Sequence, residues 1–391
     1  MKTFPSERRI YRDPLSGASV TQWTRSSAKD NHLYFTSQSV TADDRWLVFL
    51  SERLGDVNLF AADRAHEGLI RQISDNRSGL MRSYCWAGAR SGLSKASPVL
   101  DHHHNRVYYI QDETLFRVDL DTPEEKPTAL WQLPDGWWTA FNHVSPDGRW
   151  VCVPLAPPEV FTEGLKNQHE QLEYVPVAFE RTGLTSRIYM IDTATGEAHV
   201  AAEPPFWVSH VQFCPTDSSR LIFNSEGYWG RTAKQQRIWR LLEDGQFDAL
   251  PQGDDEYIGH ENWAPDGESI VYHGSGKAGG FFAARKWDGS LAFQHTVKEH
   301  GHGHVTPTHD GRGFVTDGLD RSVTLFRLQQ DGTFKRTLLC RHETNEDGTV
   351  GLDQDDHVHP LTTPNGKGVV FSSNREGASN VYEVSIHIDE D

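Results

Sequence analysis

One short turn, met seven times along the chain, constrains the fold more than any other feature. Its fullest form is Ser145-Pro146-Asp147-Gly148-Arg149-Trp150-Val151, a tight turn followed by a short apolar strand. Close copies are Ala264-Pro265-Asp266-Gly267 before Ile270-Val271-Tyr272, Thr308-His309-Asp310-Gly311 before Phe314-Val315, and Thr363-Pro364-Asn365-Gly366 before Val369-Val370-Phe371. Looser ones are Ala42-Asp43-Asp44 before Trp46 to Phe49, Pro98 to Asp101 before Arg106 to Ile110, and Pro215-Thr216-Asp217 before Arg220 to Phe223. Pro presets one turn dihedral, Asp bonds its own backbone and Gly accepts positive φ, so the unit reads as a hairpin corner. A second landmark follows each copy, an alternating strand such as Leu59–Asp63, Leu115–Asp119 or Ile188–Asp192. A spacing of roughly 40 to 70 residues lies near the range of propeller blades. The expected fold is all-β, a seven-bladed β-propeller of four-stranded blades.

The chain ends suggest how the ring closes. The last copy lacks an outer strand, and Ala18 to Thr24 form a lone β-prone segment before the first copy. Pairing the two removes an open edge. Residues 1–391 are therefore expected to form one propeller domain, the last blade closed by the N-terminal strand. The least strand-like stretch, about 154–186, is expected as an insertion with a helix over Phe161–Glu173.

Charge and composition narrow the function. Lys and Arg total 38 against 55 Asp and Glu, a net charge of −17. That balance argues against nucleic-acid binding, which needs a basic face, but permits an anionic ligand in a local pocket. No apolar run approaches the roughly 20 residues of a spanning helix, and the N-terminus lacks the apolar core of a signal peptide. Cys85, Cys152, Cys214 and Cys340 are widely spaced, without metal-like or disulfide-framework pattern. The reading is a cytoplasmic protein with reduced thiols, without nucleic-acid or membrane partners, and a monomer or weak homo-oligomer.

Twenty histidines supply the candidate chemistry. In Gln354-Asp355-Asp356-His357-Val358-His359-Pro360, two histidines two apart would face the same way on an inner strand, with Gln354 within reach across a bend. His304, in Glu299-His300-Gly301-His302-Gly303-His304, falls at the equivalent place one blade earlier, and its glycines suit close approach of backbone to a ligand. Three imidazoles and an amide oxygen suit a borderline divalent ion with open positions for an anion. The bland alternative is a set of hydrogen-bonded histidines lining a wet channel. His260, in Gly259-His260-Glu261-Asn262-Trp263, is a candidate general base or a structural histidine. Arg237, before Ile238-Trp239-Arg240, is a candidate carboxylate fork or a solvated strand-end cation. His102-His103-His104 reads as a surface turn.

At these residues the chain resembles the oligogalacturonate lyases, seven-bladed pectin-degrading propellers. Tyr11 to Thr21 looks like the family's opening strand, and His32-Leu33-Tyr34-Phe35 is similar to its first-blade aromatic motif. The resemblance implies a divalent metal, Mn2+, held by His304, Gln354, His357 and His359. It implies His260 as base, and Arg237 and His32 at the substrate. It further implies β-elimination on a 4-linked uronate, releasing a 4,5-unsaturated product. Two departures bear on the sugar recognised. Ser225-Glu226-Gly227 stands where the family has His-Glu-Gly, and the motif at His32 lacks the family's arginine. Alternatives on the same scaffold are a lyase or hydrolase for another uronate linkage, or a non-enzymatic propeller resembling TolB-type binding proteins.

Overall fold

Seven antiparallel sheets form a ring, the propeller expected from the repeat, in a computed structural model of the chain. The structure describes all residues except 78–79, 85–89, 92, 94–95, 123–124, 162–167, 228–235, 298–302, 345–356 and 387–391. Six of the seven repeat turns join the first and second strands of a blade; in the copy at Pro98 to Asp101, Val99–Asp101 is itself the first strand and residues 102–105 make the turn, and every second landmark is a third strand. In blade five the order runs Tyr257–Trp263, Ser269–Gly276, Gly279–Lys286 and Leu291–Thr296. The turn chemistry is local. Asp147 accepts the N–H of Arg149 and the hydroxyl of Ser145, while Gly148 takes φ 68°.

Ring closure follows the expected route. Ser19–Gln22 pairs with Ala378–Ser385 in blade seven, Val20 opposite Val384 and Gln22 opposite Tyr382. Arg9–Arg12 adds a fifth strand outside it, and Thr3–Phe4 extends blade one. The closing strand is covered on its outer side by another hairpin arm, which shields the edge that the ring closure itself creates.

The core departs from simple alternation. Trp46–Ser51 and Asn58–Asp63 are buried at every position, because the middle strands of a blade are sandwiched between two neighbouring blades. Alternation survives in outer strands such as Leu291–Thr296. Each fully buried Val, Leu or Phe contributes roughly 1.5–3 kcal/mol, so the blade faces hold the ring together, with no disulfide among the described residues. Cys152, Cys214 and Cys340 are free and buried; Cys85 lies outside the described residues.

The segment between the second and third strands of blade three differs from expectation in its bounds. The strand Trp150–Ala156 continues through Pro154, which pairs with Ile188. The helix, α1, spans Gln168–Thr182 and overlaps the expected one only at Gln168–Glu173. Leu172, Val175, Ala178 and Phe179 of α1 pack into one cluster with Trp207, Tyr84, Phe141, Tyr34 and Phe35. That cluster carries the aromatic rings beneath the histidines described next. His102–His104 occupy the hairpin turn after Val99–Asp101, where Asp101 caps the backbone N–H of His104. His102 and His103 also line a cavity of about 470 Å³ together with His143, Gln212 and Phe35.

Candidate metal centre and active site

Imidazoles from blades six and seven converge where the inner strands begin. One nitrogen from each of His304, His357 and His359 lies within 4.8 Å of the other two. His304 and His359 are buried and His357 half-buried. The His304 and His359 rings are 4.1 Å apart, centre to centre. The expected route to this cluster was a strand presenting two same-facing histidines. The chain uses another one. Residues 357–360 precede the strand Leu361–Thr362, and His359 takes φ 47°, a left-handed bend uncommon for a residue with a Cβ. The His359 ring lies 5.3 Å from that of His357, centre to centre. Gln354 lies outside the described residues.

The contacts behind the cluster fix its orientation. Asp317 accepts the Nδ1–H of His304 at 2.8 Å and its backbone N–H at 2.7 Å. This holds His304 in the tautomer that presents the Nε2 lone pair to the cluster. Burial alone would raise the Asp317 carboxyl, but the hydrogen bonds it accepts from His304 hold it well below the usual carboxylate range. The donor set suits a divalent ion. Three neutral imidazoles leave the ion's charge uncancelled, and the carboxylate sits one layer behind them.

His32, expected at the substrate, packs against the bend at His359. Its side chain is wholly buried. Nε2 lies 2.7 Å from the carbonyl oxygen of His359 and Nδ1 lies 2.6 Å from Ser372 Oγ. The carbonyl can only accept, so Nε2–H donates to it and Nδ1 accepts from the Ser372 hydroxyl. His32 thus anchors the bend at His359 from below.

His260 lies beside the cluster, its ring 4.2 Å from that of His304 and stacked 4.8 Å from His273. A β-bulge between Gly259 and Asn262 breaks the strand register there, and His260 takes φ 52°. Bulges re-aim a side chain without ending a strand. Nδ1 of His260 lies 2.7 Å from the carbonyl oxygen of Gly303, so Nδ1 carries the proton and Nε2 the lone pair.

Arg237 is no solvated cation. Its guanidinium donates from Nη1 to Glu226 at 2.8 Å and from Nε to Glu261 at 3.1 Å. The three side chains are only 11%, 4% and 3% exposed. Burial works against the charged form, but the two carboxylates outweigh it and raise the Arg237 pKa well above its ordinary value. Glu226 also accepts from Ser209 and Asn224, which contact Nδ1 of His210, while Nε2 of His210 lies 3.2 Å from the Tyr34 hydroxyl. Burial and the nearby charge of Arg237 keep His210 neutral.

The structure brings together His260, His304, His357 and His359, sets His32 beneath them, and clamps Arg237 between blades four and five. Asp317, Glu226, Glu261 and His210 had no role in the sequence reading. A signal existed for Asp317, an acid inside the apolar strand Gly313–Leu319 just before a glycine.

Fold and site together define a seven-bladed propeller with a candidate metal site where its inner strands begin. Residues 2–389 match the oligogalacturonate lyase family, and the chain belongs to it. The protein is therefore a lyase. An oligogalacturonide lyase of Pectobacterium atrosepticum is 24% identical over 393 residues, covering 95% of this chain and 94% of its own. An oligogalacturonate lyase of Dickeya dadantii is 24% identical over 394 residues, with the same coverage. Among solved structures, an oligogalacturonate lyase in complex with manganese superposes with a TM-score of 0.82 at 22% identity, covering 99% of this chain and 98% of its own. The Vibrio parahaemolyticus oligogalacturonate lyase gives 0.81 at 19%, with the same coverage.

Proposed function

We propose that this protein cleaves oligogalacturonates by β-elimination with the help of a bound divalent metal, Mn2+. The observation that carries the reading is the 2.7 Å contact of His260 Nδ1 with the Gly303 carbonyl, which assigns the proton to Nδ1 and the lone pair to Nε2, beside the three clustered imidazoles. His304, His357 and His359 would hold the ion, with Gln354 as the fourth protein ligand that the family resemblance implies. Such an ion supplies positive charge to a uronate carboxylate, offsetting the charge that develops as the adjacent carbon loses its proton.

His260 Nε2 takes the C5 proton, and the electron pair left on C5 forms the C4–C5 double bond as the C4–O bond breaks. The leaving oxygen is protonated from solvent. Products are a 4,5-unsaturated uronate at the new non-reducing end and a shortened oligomer. Arg237 keeps N–H donors beyond the two given to Glu226 and Glu261, and these orient a substrate carboxylate. A cytoplasmic setting suits the buried free thiols, of which Cys340 is pushed up to about 12 by burial. No described helix is long and apolar enough to cross a membrane.

The test is release of ultraviolet-absorbing unsaturated product from galacturonate oligomers with Mn2+ present. His260→Ala should lose about 10²–10⁴ in rate while still binding metal, and His357→Ala should lose metal binding as well. Absence of unsaturated product from every uronate oligomer tried, with metal bound, would overturn the reading.

A further inference from the structure

One peptide group ties the metal ligand to the base. The bond between Gly303 and His304 offers its N–H to Asp317 Oδ1 at 2.7 Å and its carbonyl to His260 Nδ1 at 2.7 Å. The other oxygen of Asp317 receives the Nδ1–H of His304 at 2.8 Å. A single buried carboxylate therefore contacts the His304 imidazole directly and reaches the His260 imidazole through one peptide plane. Hydrogen bonds in such a chain polarise one another, because pulling on the N–H makes the carbonyl a better acceptor.

The backbone around the peptide is built for this contact. A Cβ on Gly303 would lie 2.5 Å from Cα and 2.7 Å from N of Gly318, the residue after Asp317. Only glycine at 303 lets the two chain segments approach closely enough for Asp317 to reach the peptide. The sequence reading assigned the glycines here to ligand approach; Gly303 instead admits the neighbouring strand. That strand has its own bulge between Thr316 and Leu319, which turns Asp317 toward His304.

We propose that Asp317 is a positioning residue for both halves of the site, orienting the metal ligand His304 by its side chain and the base His260 through the Gly303–His304 peptide. The inference rests on the function proposed above and adds a residue to it. It makes the two sub-sites one mechanical unit.

Two substitutions separate the halves. In Asp317→Asn the amide oxygen still accepts the peptide N–H, but its NH2 group cannot accept from His304 Nδ1. Mn2+ affinity should fall about 10–100-fold, while kcat at saturating Mn2+ should fall by less than in Asp317→Ala. In Asp317→Ala neither bond remains, so affinity falls similarly and kcat at saturating Mn2+ also falls, by tenfold or more. Mn2+ affinity is read by calorimetry, which needs no turnover. A third reading is the 15N shift of His260 in the metal-free protein, which should report a proton on Nδ1 in the parent and in Asp317→Asn, and a tautomer mixture in Asp317→Ala. Parental Mn2+ affinity in Asp317→Asn would overturn the first half. Parental kcat and tautomer in metal-loaded and metal-free Asp317→Ala would overturn the second. Should Asp317→Ala not fold, Asp317→Glu replaces it, and an unchanged His260 shift and kcat there would count against the peptide route. Failure of the parent to turn over any uronate would count against the proposed function, leaving the tautomer and affinity readings intact.

Discussion

Replacing Arg237 by Met should destabilise the protein as much as it disables it. The guanidinium sits between Glu226 and Glu261, and none of the three side chains is more than 11% exposed. Solvent screening is therefore slight. Removing the cation leaves two buried carboxylates without their counter-charge, a change that costs about 3–5 kcal/mol. For 391 residues, at about 2.1 cal/mol/K each, the unfolding entropy is roughly 0.8 kcal/mol/K. The thermal midpoint should fall by about 4–6 °C, read by calorimetry at neutral pH. Arg237→Lys keeps the charge but loses one of two charge-assisted hydrogen bonds, and should lose about half as much. Adding Glu226→Gln and Glu261→Gln to Arg237→Met should recover most of the midpoint while activity stays absent. A midpoint of Arg237→Met within 1 °C of the parent would refute the reasoning, and Arg237 would then be a substrate contact and nothing more.

Acid should expose the buried histidines. Burial pushes His342 down to about 4, more than the neighbouring Asp317 raises it. The folded protein thus disfavours the protonated ring, and the stability held by neutral His342 is present above about 6.5 and lost as pH falls toward 4. At pH 5 the loss is about 2 kcal/mol. His342→Asn, which can still accept the Thr344 N–H, should lose about 2 °C less than the parent in thermal midpoint between pH 7 and pH 5; equal losses would contradict the assignment. His32→Phe should weaken Mn2+ binding about 10–100-fold, measured by titration, with KM unchanged once metal is saturating. A raised KM with parental metal affinity would instead put His32 at the substrate. Removing metal with a chelator should abolish binding of galacturonate as well as turnover, so calorimetry should detect heat of galacturonate binding only after Mn2+ is restored.

Much of the fold was legible because its signals are local. Asp147, Gly148 and Ser145 make their turn with one another, so the turn reads directly from the residues and so does its count. The closing strand Ser19–Gln22 was legible from what the last repeat lacked. Strand burial was not: Trp46–Ser51 alternates little because both faces meet neighbouring blades, which a single-strand pattern does not reveal. The helix α1 was misplaced because Pro176 stands in its middle and its first turn carries Glu and Gln, weak signals beside its packing on Trp207 and Phe141. The histidines of the site were picked out by spacing, yet the reason they converge escaped it. His359 and His260 both take positive φ, one in a bend and one in a bulge, whereas the spacing argument assumed extended strands. His32 was given to the substrate because sequence shows that a histidine is present but says nothing of what its two nitrogens touch.

The arrangement of charge makes sense of an acidic enzyme with an acidic substrate. Among the described ionised groups of the candidate site are Arg237, paired with Glu226 and Glu261, and Asp317 behind His304. They comprise one positive and three negative charges, so this part of the site alone repels a uronate. Were a carboxylate among the ligands, it would cancel part of the ion's charge where the substrate must bind. Among the described residues, Asp317, Glu226 and Glu261 stand one layer back, where they contact His304 and Arg237, and the imidazoles stand in front. A divalent ion on those imidazoles would balance the three acids and the arginine without surrendering its electrostatic pull to a direct anionic ligand. Metal would then be a condition of substrate binding as well as of proton removal, and the positions of Glu226, Glu261 and Asp317 would be as constrained as those of the histidines they support.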